Sequence, residues 1–182
     1  MTEKIIIAGS GGQGVMLLGK VLADAAMREN KFVTWLPAYG AEVRGGTAHC
    51  TVIISDSEIG SPCVDKADSL IILNAPSLER FKGRLTGKGL LILNSSMVSE
   101  GGGAKATVMY HPFTDIAIGL GNIKVANMVA LGCFITKKKI VSAKTVLKVF
   151  EDMAPQGKKE LIEVNTKALG KGIKLCLQET SL

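Results

Sequence analysis

Three short runs limit what this chain can fold into. KIIIAG (4–9), SLIILN (69–74) and GLLILN (89–94) are apolar and largely branched, with no polar alternation. A strand with one wet face alternates apolar and polar residues. A run without alternation belongs to a sheet covered on both faces. Such sheets join their strands through helices. A helix is expected directly after the first run, from Gly12 to about Asn30. There Val15, Leu18, Val21, Leu22, Ala25 and Ala26 recur at three- and four-residue steps and make one apolar face.

FVTWL (32–36) reads as a second strand, ended by Pro37, and AHCTVIIS (48–55) as a third. A sixth strand follows the glycine turn at 101–103, and a short helix from Ser77 carries Leu78, Phe81 and Leu85. Beyond Pro112 the strands stop. Lys124–Ile135, Ser142–Phe150 and Lys158–Leu177 read as helices, the last weakened by Gly170 and Gly172 at roughly 1 kcal/mol each against alanine. The expectation is an α/β fold in a single domain over 1–182. It is a three-layer α/β/α sandwich with a Rossmann-like, mostly parallel sheet, C-terminal helices, and the first two strands as neighbours.

Composition removes several classes of function. No apolar run approaches the ~20 residues that span a bilayer. The N-terminal sequence enters a strand without a cleavable signal pattern, so a cytoplasmic protein with no membrane partner is expected. Net charge is +6 with 4% aromatics, and the one dense basic cluster is Lys137, Lys138 and Lys139. A nucleic-acid surface would interleave clustered bases with aromatics, so nucleic acid is not expected. The cluster and the lysines beyond it are either a solvated helix end or a surface for an acidic partner or anionic ligand. Cys50, Cys63, Cys133 and Cys176 form no C-x-x-C pair, so no metal site is expected and the thiols read as small packed hydrophobes.

Gly9, Gly11 and Gly14 spell G-x-G-x-x-G between the first strand and its helix, in the stretch GSGGQGV. Glycines let the backbone approach a phosphate, and the helix start offers free N–H groups and partial positive charge. A dinucleotide domain also needs a carboxylate at the end of the second strand for the ribose hydroxyls. That strand ends Thr34-Trp35-Leu36-Pro37, while Asp24 and Glu29 come too early. Ordinary NAD or FAD binding is therefore not expected. The loop is either a tight turn, a site for another phosphate-bearing ligand, or a contact for a ligand held by a partner. Gln13 either faces solvent or reaches whatever sits over the helix start.

The C-terminal ends of the other expected strands supply the remaining cleft residues: Pro37–Gly40, Asn74, Asn94–Ser96 and His111. A second constellation follows the second strand, Tyr39-Gly40-Ala41-Glu42-Val43-Arg44-Gly45-Gly46. Glu42 and Arg44 could pair with each other or reach across an interface. His49 and His111 sit in no triad order, and no paired carboxylates or nucleophile elbow occur. A ligand loop without evident catalytic groups points to a subunit whose chemistry lies elsewhere.

GSGGQGV, YGAEVRGGTAHCTVIISD and GNIKVANMVALG together resemble the gamma subunit of 2-oxoacid:ferredoxin oxidoreductases, over about Lys4 to Leu177. The Y-G-x-E-x-R-G-G loop looks most like the 2-oxoglutarate type, with Ala41 where many such chains carry proline. The resemblance implies a complex that decarboxylates a 2-oxoacid on thiamine pyrophosphate, passes electrons through iron–sulfur clusters to ferredoxin and releases an acyl-CoA. Thiamine pyrophosphate, magnesium and the clusters would lie on alpha, beta and delta partners. This chain would hold no cofactor tightly and no catalytic residue, and would contact coenzyme A. Candidate ligand residues are Gly9, Gly11, Gly12, Gln13 and Gly14, with Tyr39, Glu42, Arg44, Gly45 and Gly46 as the neighbouring wall or subunit interface. The alternatives are a free-standing nucleotide-binding regulatory module and a scaffold whose loop only completes an interface.

Overall fold

The computed structural model describes residues 1–39, 47–99, 105–154 and 159–179. In chain order the elements are β1 (Thr2–Ser10), α1 (Val15–Arg28), β2 (Phe32–Tyr39), β3 (Thr47–Ser55), β4 (Ala67–Ile72), α2 (Ala75–Phe81), β5 (Leu85–Asn94), β6 (Thr107–His111), α3 (Phe113–Gly119), α4 (Ala126–Lys138), α5 (Ala143–Met153) and α6 (Lys159–Glu179). Short 3₁₀ turns at Lys82–Arg84 and Ile123–Val125 lead into β5 and α4.

The strands form one six-stranded sheet in the order β2-β3-β1-β4-β5-β6. The β1–β4, β4–β5 and β5–β6 pairs are parallel, as the unbroken apolar runs require. The expected neighbourhood of the first two strands is corrected: β3 lies between them and runs antiparallel to both. The cause is the length of the connection. The segment 40–46 is too short for a parallel crossover, which takes a dozen or more residues, so β3 can only fold back on β2. Pro37 does not end β2 either, because it pairs with Cys50 and the strand continues to Tyr39. An edge strand tolerates proline, since no neighbour waits for its missing N–H.

The two faces of the sheet are covered unequally. Ile5, Ile7, Val52, Ile54, Ile71 and Ile92 point into a large core shared with α1 and α3–α6. Ile6, Ala8, Ile53, Leu70, Ile72, Leu91 and Leu93 point the other way, into a smaller core closed by Leu78 and Phe81 of α2 with Val64 and Val98. The three consecutive isoleucines of β1 are fully buried because each faces a core, whichever side it points to. Burial of one such side chain stabilises the fold by roughly 1.5–3 kcal/mol. Leu85 belongs to β5 rather than to the helix before it.

Two further features were not evident in the pattern. α3 follows Pro112 directly and buries only Phe113 and Ala117. α4 is buried at ten consecutive positions, Ala126–Ile135, because α6 covers the side that the sheet does not. The two helices cross with their backbones in contact. A Cβ on Gly172 would meet the carbonyl of Val129 and stand 3.0 Å from Cys133 N, while a Cβ on Gly132 would stand 3.0 Å from Ile173 N. Gly172 therefore sets the approach that offsets its poor helix propensity, whereas Gly170 faces open space. At the start of β1, buried Glu3 accepts from Ser69 Oγ at 2.6 Å and pairs with Lys138 Nζ at 2.8 Å.

Candidate functional site

β1, β4, β5 and β6 end on the same edge of the sheet, and helices leave from three of those ends. α1 starts after Gly14, α2 after Asn74 and α3 after Pro112. The convergence of helix N-termini at strand C-termini concentrates N–H donors and partial positive charge in one crevice.

The glycine loop from β1 to α1 divides into two kinds of position. Gly9 and Gly14 are packed. A Cβ on Gly9 would stand 2.6 Å from Gln13 Oε1 and 3.1 Å from both Leu73 Cβ and Val15 Cγ1. Gly14 adopts φ +72° and abuts the side chain of Asn127, whose Cγ would lie 3.0 Å from an added Cβ. Gly11 and Gly12 are exposed and have nothing within 4 Å of an added Cβ, Gly12 with φ +92°. Only this outer pair leaves room for a ligand against the backbone.

Gln13 does neither of the things its sequence context allowed. Its amide is turned back into the loop: Oε1 accepts from Ser10 N–H at 2.7 Å and Nε2 donates to Leu73 O at 3.2 Å. The backbone N–H of Gln13 also returns to Ser10 O at 3.1 Å. Gln13 thus ties the loop to the end of β4 across sixty residues of chain.

The floor of the crevice is built from asparagines. Asn94 Nδ2 donates to the same Leu73 O at 3.2 Å and to Thr114 Oγ1 at 2.8 Å, and its Oδ1 accepts from Thr114 N–H at the start of α3. Asn74 caps α2 through Ser77 N–H and donates to Ser10 Oγ. Asn127, at 1% exposure in the first turn of α4, donates from Nδ2 to Gly14 O at 3.0 Å, while its buried Oδ1 has no partner. Asn74 and Asn94 are legible in the sequence as polar residues ending apolar runs. Asn127 was missed as a site residue. Its signal is a lone amide inside the apolar run VANMVALG, which a folded core retains only with a partner.

Of the second constellation, Tyr39 ends β2 at the sheet margin. Glu42, Arg44, Gly45 and Gly46 lie outside the described residues. His49 is half-buried on β3, its ring 4.8 Å from that of Phe81. Burial, and then the charges of Arg80 and Arg84, hold its pKa below the usual histidine value. His111 Nε2 stands 3.0 Å from Glu179 Oε1 at the other margin of the sheet. His49 stands in register with Ala8, the residue before Gly9.

Among the described residues no three histidines, cysteines or acids stand together as a metal set. Cys50, Cys133 and Cys176 are buried, and burial pushes all three thiols up, Cys50 to about 12. No helix among the described residues is long and apolar enough to cross a membrane.

Known proteins align with this arrangement along most of its length. The chain is 37% identical over 169 residues to the ketoisovalerate oxidoreductase subunit VorA of Methanothermobacter thermautotrophicus, covering 93% of this chain and 35% of that one. It therefore spans about a third of the length of the VorA relatives it matches. It is 35% identical over 164 residues to the 2-oxoglutarate synthase subunit KorC of Methanocaldococcus jannaschii, covering 88% of each chain. Among solved structures, the gamma subunit of a keto/oxoacid ferredoxin oxidoreductase from Geobacter sulfurreducens superposes with a TM-score of 0.84 at 28% identity, over 97% of this chain and 99% of that one. The family model described as pyruvate ferredoxin/flavodoxin oxidoreductase matches residues 4–175, and with that match the chain belongs to this family.

Proposed function

We propose that this chain is the gamma subunit of a 2-oxoacid:ferredoxin oxidoreductase, and that Gly11, Gly12 and the N-terminus of α1 receive a phosphate of coenzyme A. The observation that carries the first part is the end-to-end correspondence with a gamma subunit, 97% of one chain on 99% of the other. What supports the second is the division of the loop. The packed glycines hold the turn, and the outer pair leaves backbone open beside a helix start. β2 offers no carboxylate along Phe32–Tyr39 for a dinucleotide ribose, which argues against the nucleotide-binding module.

In this reading the chain is part of a cytoplasmic assembly with alpha, beta and delta subunits. Thiamine pyrophosphate, magnesium and iron–sulfur clusters sit on those partners, and ferredoxin is the electron acceptor. The coenzyme supplies the thiol that takes the acyl group. This chain binds and orients that coenzyme and holds no reacting proton. The 2-oxoacid is 2-oxoglutarate, as the Y-G-x-E-x-R-G-G loop and the KorC relatives of similar length suggest. A branched-chain 2-oxoacid is the second reading, favoured by the 37% identity to VorA.

The test is anaerobic co-purification with the partner chains, assay of thiamine and iron in the complex, and a panel of 2-oxoacids. Gly11→Asp then places a carboxylate on the open side of the loop without touching the packed positions. The expected result is a KM for coenzyme A raised about tenfold or more in an intact complex, the size of a lost or repelled charged contact. A wild-type KM would remove the loop as a phosphate site. Tight binding of NAD, FAD or ATP by the isolated chain would favour the nucleotide module instead.

A further inference from the structure

Two helices of this chain face each other without closing the space between them. On α6, Lys171, Lys174, Leu175 and Gln178 recur at steps of three and four residues and share one face, while Ala168, Leu169, Gly172 and Cys176 are buried on another. Ile116, Gly119 and Leu120 line up in the same way at the last turn of α3. Between the two faces runs a groove of about 420 Å³. That is the size of a small-molecule site. Its floor is apolar: Ile116, Leu120 and Leu175 are half-buried and rest on the large core. Gly119 keeps the groove open. A Cβ there would meet nothing within 4 Å, and its φ lies outside the left-handed region.

The rim is cationic. Lys171 and Lys174 stand exposed on the α6 side, and no carboxylate lines the groove. Of the α6 acids, Glu163 is held by Lys167 and Glu179 faces His111 Nε2. Among the described residues no ion pair engages Lys171 or Lys174. Gln178 adds an amide one turn further along. A neutral apolar ligand would leave the two ammonium groups without a counter-charge. A bare inorganic anion would leave the floor wet. A molecule with a hydrocarbon body and an anionic end satisfies both.

We propose that the α3–α6 groove binds a small amphipathic anion, an aliphatic chain ended by a carboxylate. The carboxylate sits between Lys171 and Lys174, and the chain lies on Ile116, Leu120 and Leu175. The site is separate from the glycine loop. α3 starts at the crevice with Phe113, and the groove takes only its far turn. The inference therefore does not depend on the gamma-subunit reading, and its failure would leave that reading untouched.

The test uses the purified full chain with octanoate as the probe, read by titration calorimetry and amide chemical shifts. The expected Kd is on the order of 1 mM or tighter, the scale that a ligand of this size reaches in an open groove. Shifts should fall at residues 116–120 and 171–178. Gly119→Leu should abolish binding by filling the groove while melting stays unchanged. The double variant Lys171→Glu, Lys174→Glu should weaken binding roughly tenfold or more, as two exposed charge contacts are reversed. Lys144→Glu with Lys148→Glu changes the net charge equally on the exposed side of α5 and should bind as wild type. If Gly119→Leu fails to fold, the lysine variants and two further probes decide. Octanol binding as tightly as octanoate would show that the lysines recognise nothing. Acetate or inorganic phosphate binding as tightly would show that the floor contributes nothing. Either result overturns the proposal, as do shifts confined to residues 11–15 or an absence of binding. Self-association of the wild-type chain, lost in Gly119→Leu, would make the occupant a second copy and overturn it as well.

Discussion

Three of the four glycines of the first loop, Gly11, Gly12 and Gly14, should separate cleanly when each is replaced by alanine. Gly11 has ordinary backbone and open space, so Gly11→Ala should lie within about 1 kcal/mol of wild type, on the stabilising side. Gly12 has the same space but φ +92°, and Gly12→Ala should cost about 1–2 kcal/mol from backbone strain alone. Gly14 carries φ +72° and also abuts buried Asn127, with Cγ 3.0 Å from the new methyl. Strain of about 1–2 kcal/mol and overpacking of about 1–3 kcal/mol put Gly14→Ala near 2–5 kcal/mol. For a domain of this size that is a melting point roughly 5–15 °C lower. The collision is with one side chain, so Asn127→Ala should absorb part of the cost, and the double variant should be more stable than the sum of the single effects. Chemical denaturation of the purified chain reads all five proteins. A Gly14→Ala chain as stable as Gly11→Ala would refute the packing argument. A strictly additive cycle would show that Asn127 is not what excludes the methyl.

Three other outcomes follow from the packing. Gly172→Ala should destabilise the chain by about 1–3 kcal/mol through the α4–α6 crossing, while Gly170→Ala, in open space on the same helix, should stabilise it by up to about 1 kcal/mol; thermal melts giving both the same sign would contradict the crossing. Lys138→Met leaves the Glu3 carboxylate buried without its cation and should cost about 3 kcal/mol, with much of it recovered in the Glu3→Met, Lys138→Met double variant; denaturant midpoints of the three proteins check this. The pKa of His49 is lowered on folding from its ordinary 6.5, so below that pH the unfolded chain takes up a proton that the folded chain refuses. Stability should therefore fall as pH drops from about 6.5 toward the folded value, and His49→Gln should flatten that part of the profile measured by denaturation.

How much of this was readable depended on how far each signal reaches along the chain. The buried strands and the helices α1, α4, α5 and α6 were legible because their apolar runs and periods lie within a dozen residues. β3 was legible as a strand, yet its direction is a property of the connection rather than of the strand. The shortness of 40–46 carried that information. α3 stayed hidden because seven residues after a proline hold too few turns to show a period. At the site, the glycine spacing and the asparagines ending β4 and β5 pointed to the crevice where the helix N-termini converge. The division of the glycines did not show, because Gly9 and Gly14 are packed by Leu73 and Asn127, which the chain brings up sixty and more residues later. Gln13 looked like a ligand group for the same reason, since its acceptor is Leu73 O.

The all-round burial of α4 has a consequence for biosynthesis. Ten successive positions of this helix have no solvent side, and α6, which covers its outer stripe, is made later than α4. About forty residues separate the end of α4 from the end of α6, a few seconds of synthesis at roughly 5–20 residues per second. For that interval Val129, Cys133 and the rest of the stripe facing Gly172 stand uncovered on the nascent chain. The glycine-to-glycine crossing then closes only when the correct backbones meet, since no side chain at those two positions can improvise a substitute. Misregistered docking of α6 is an error open to this polypeptide while it is being made, and a chaperone that holds the chain until α6 emerges would protect the α4 surface.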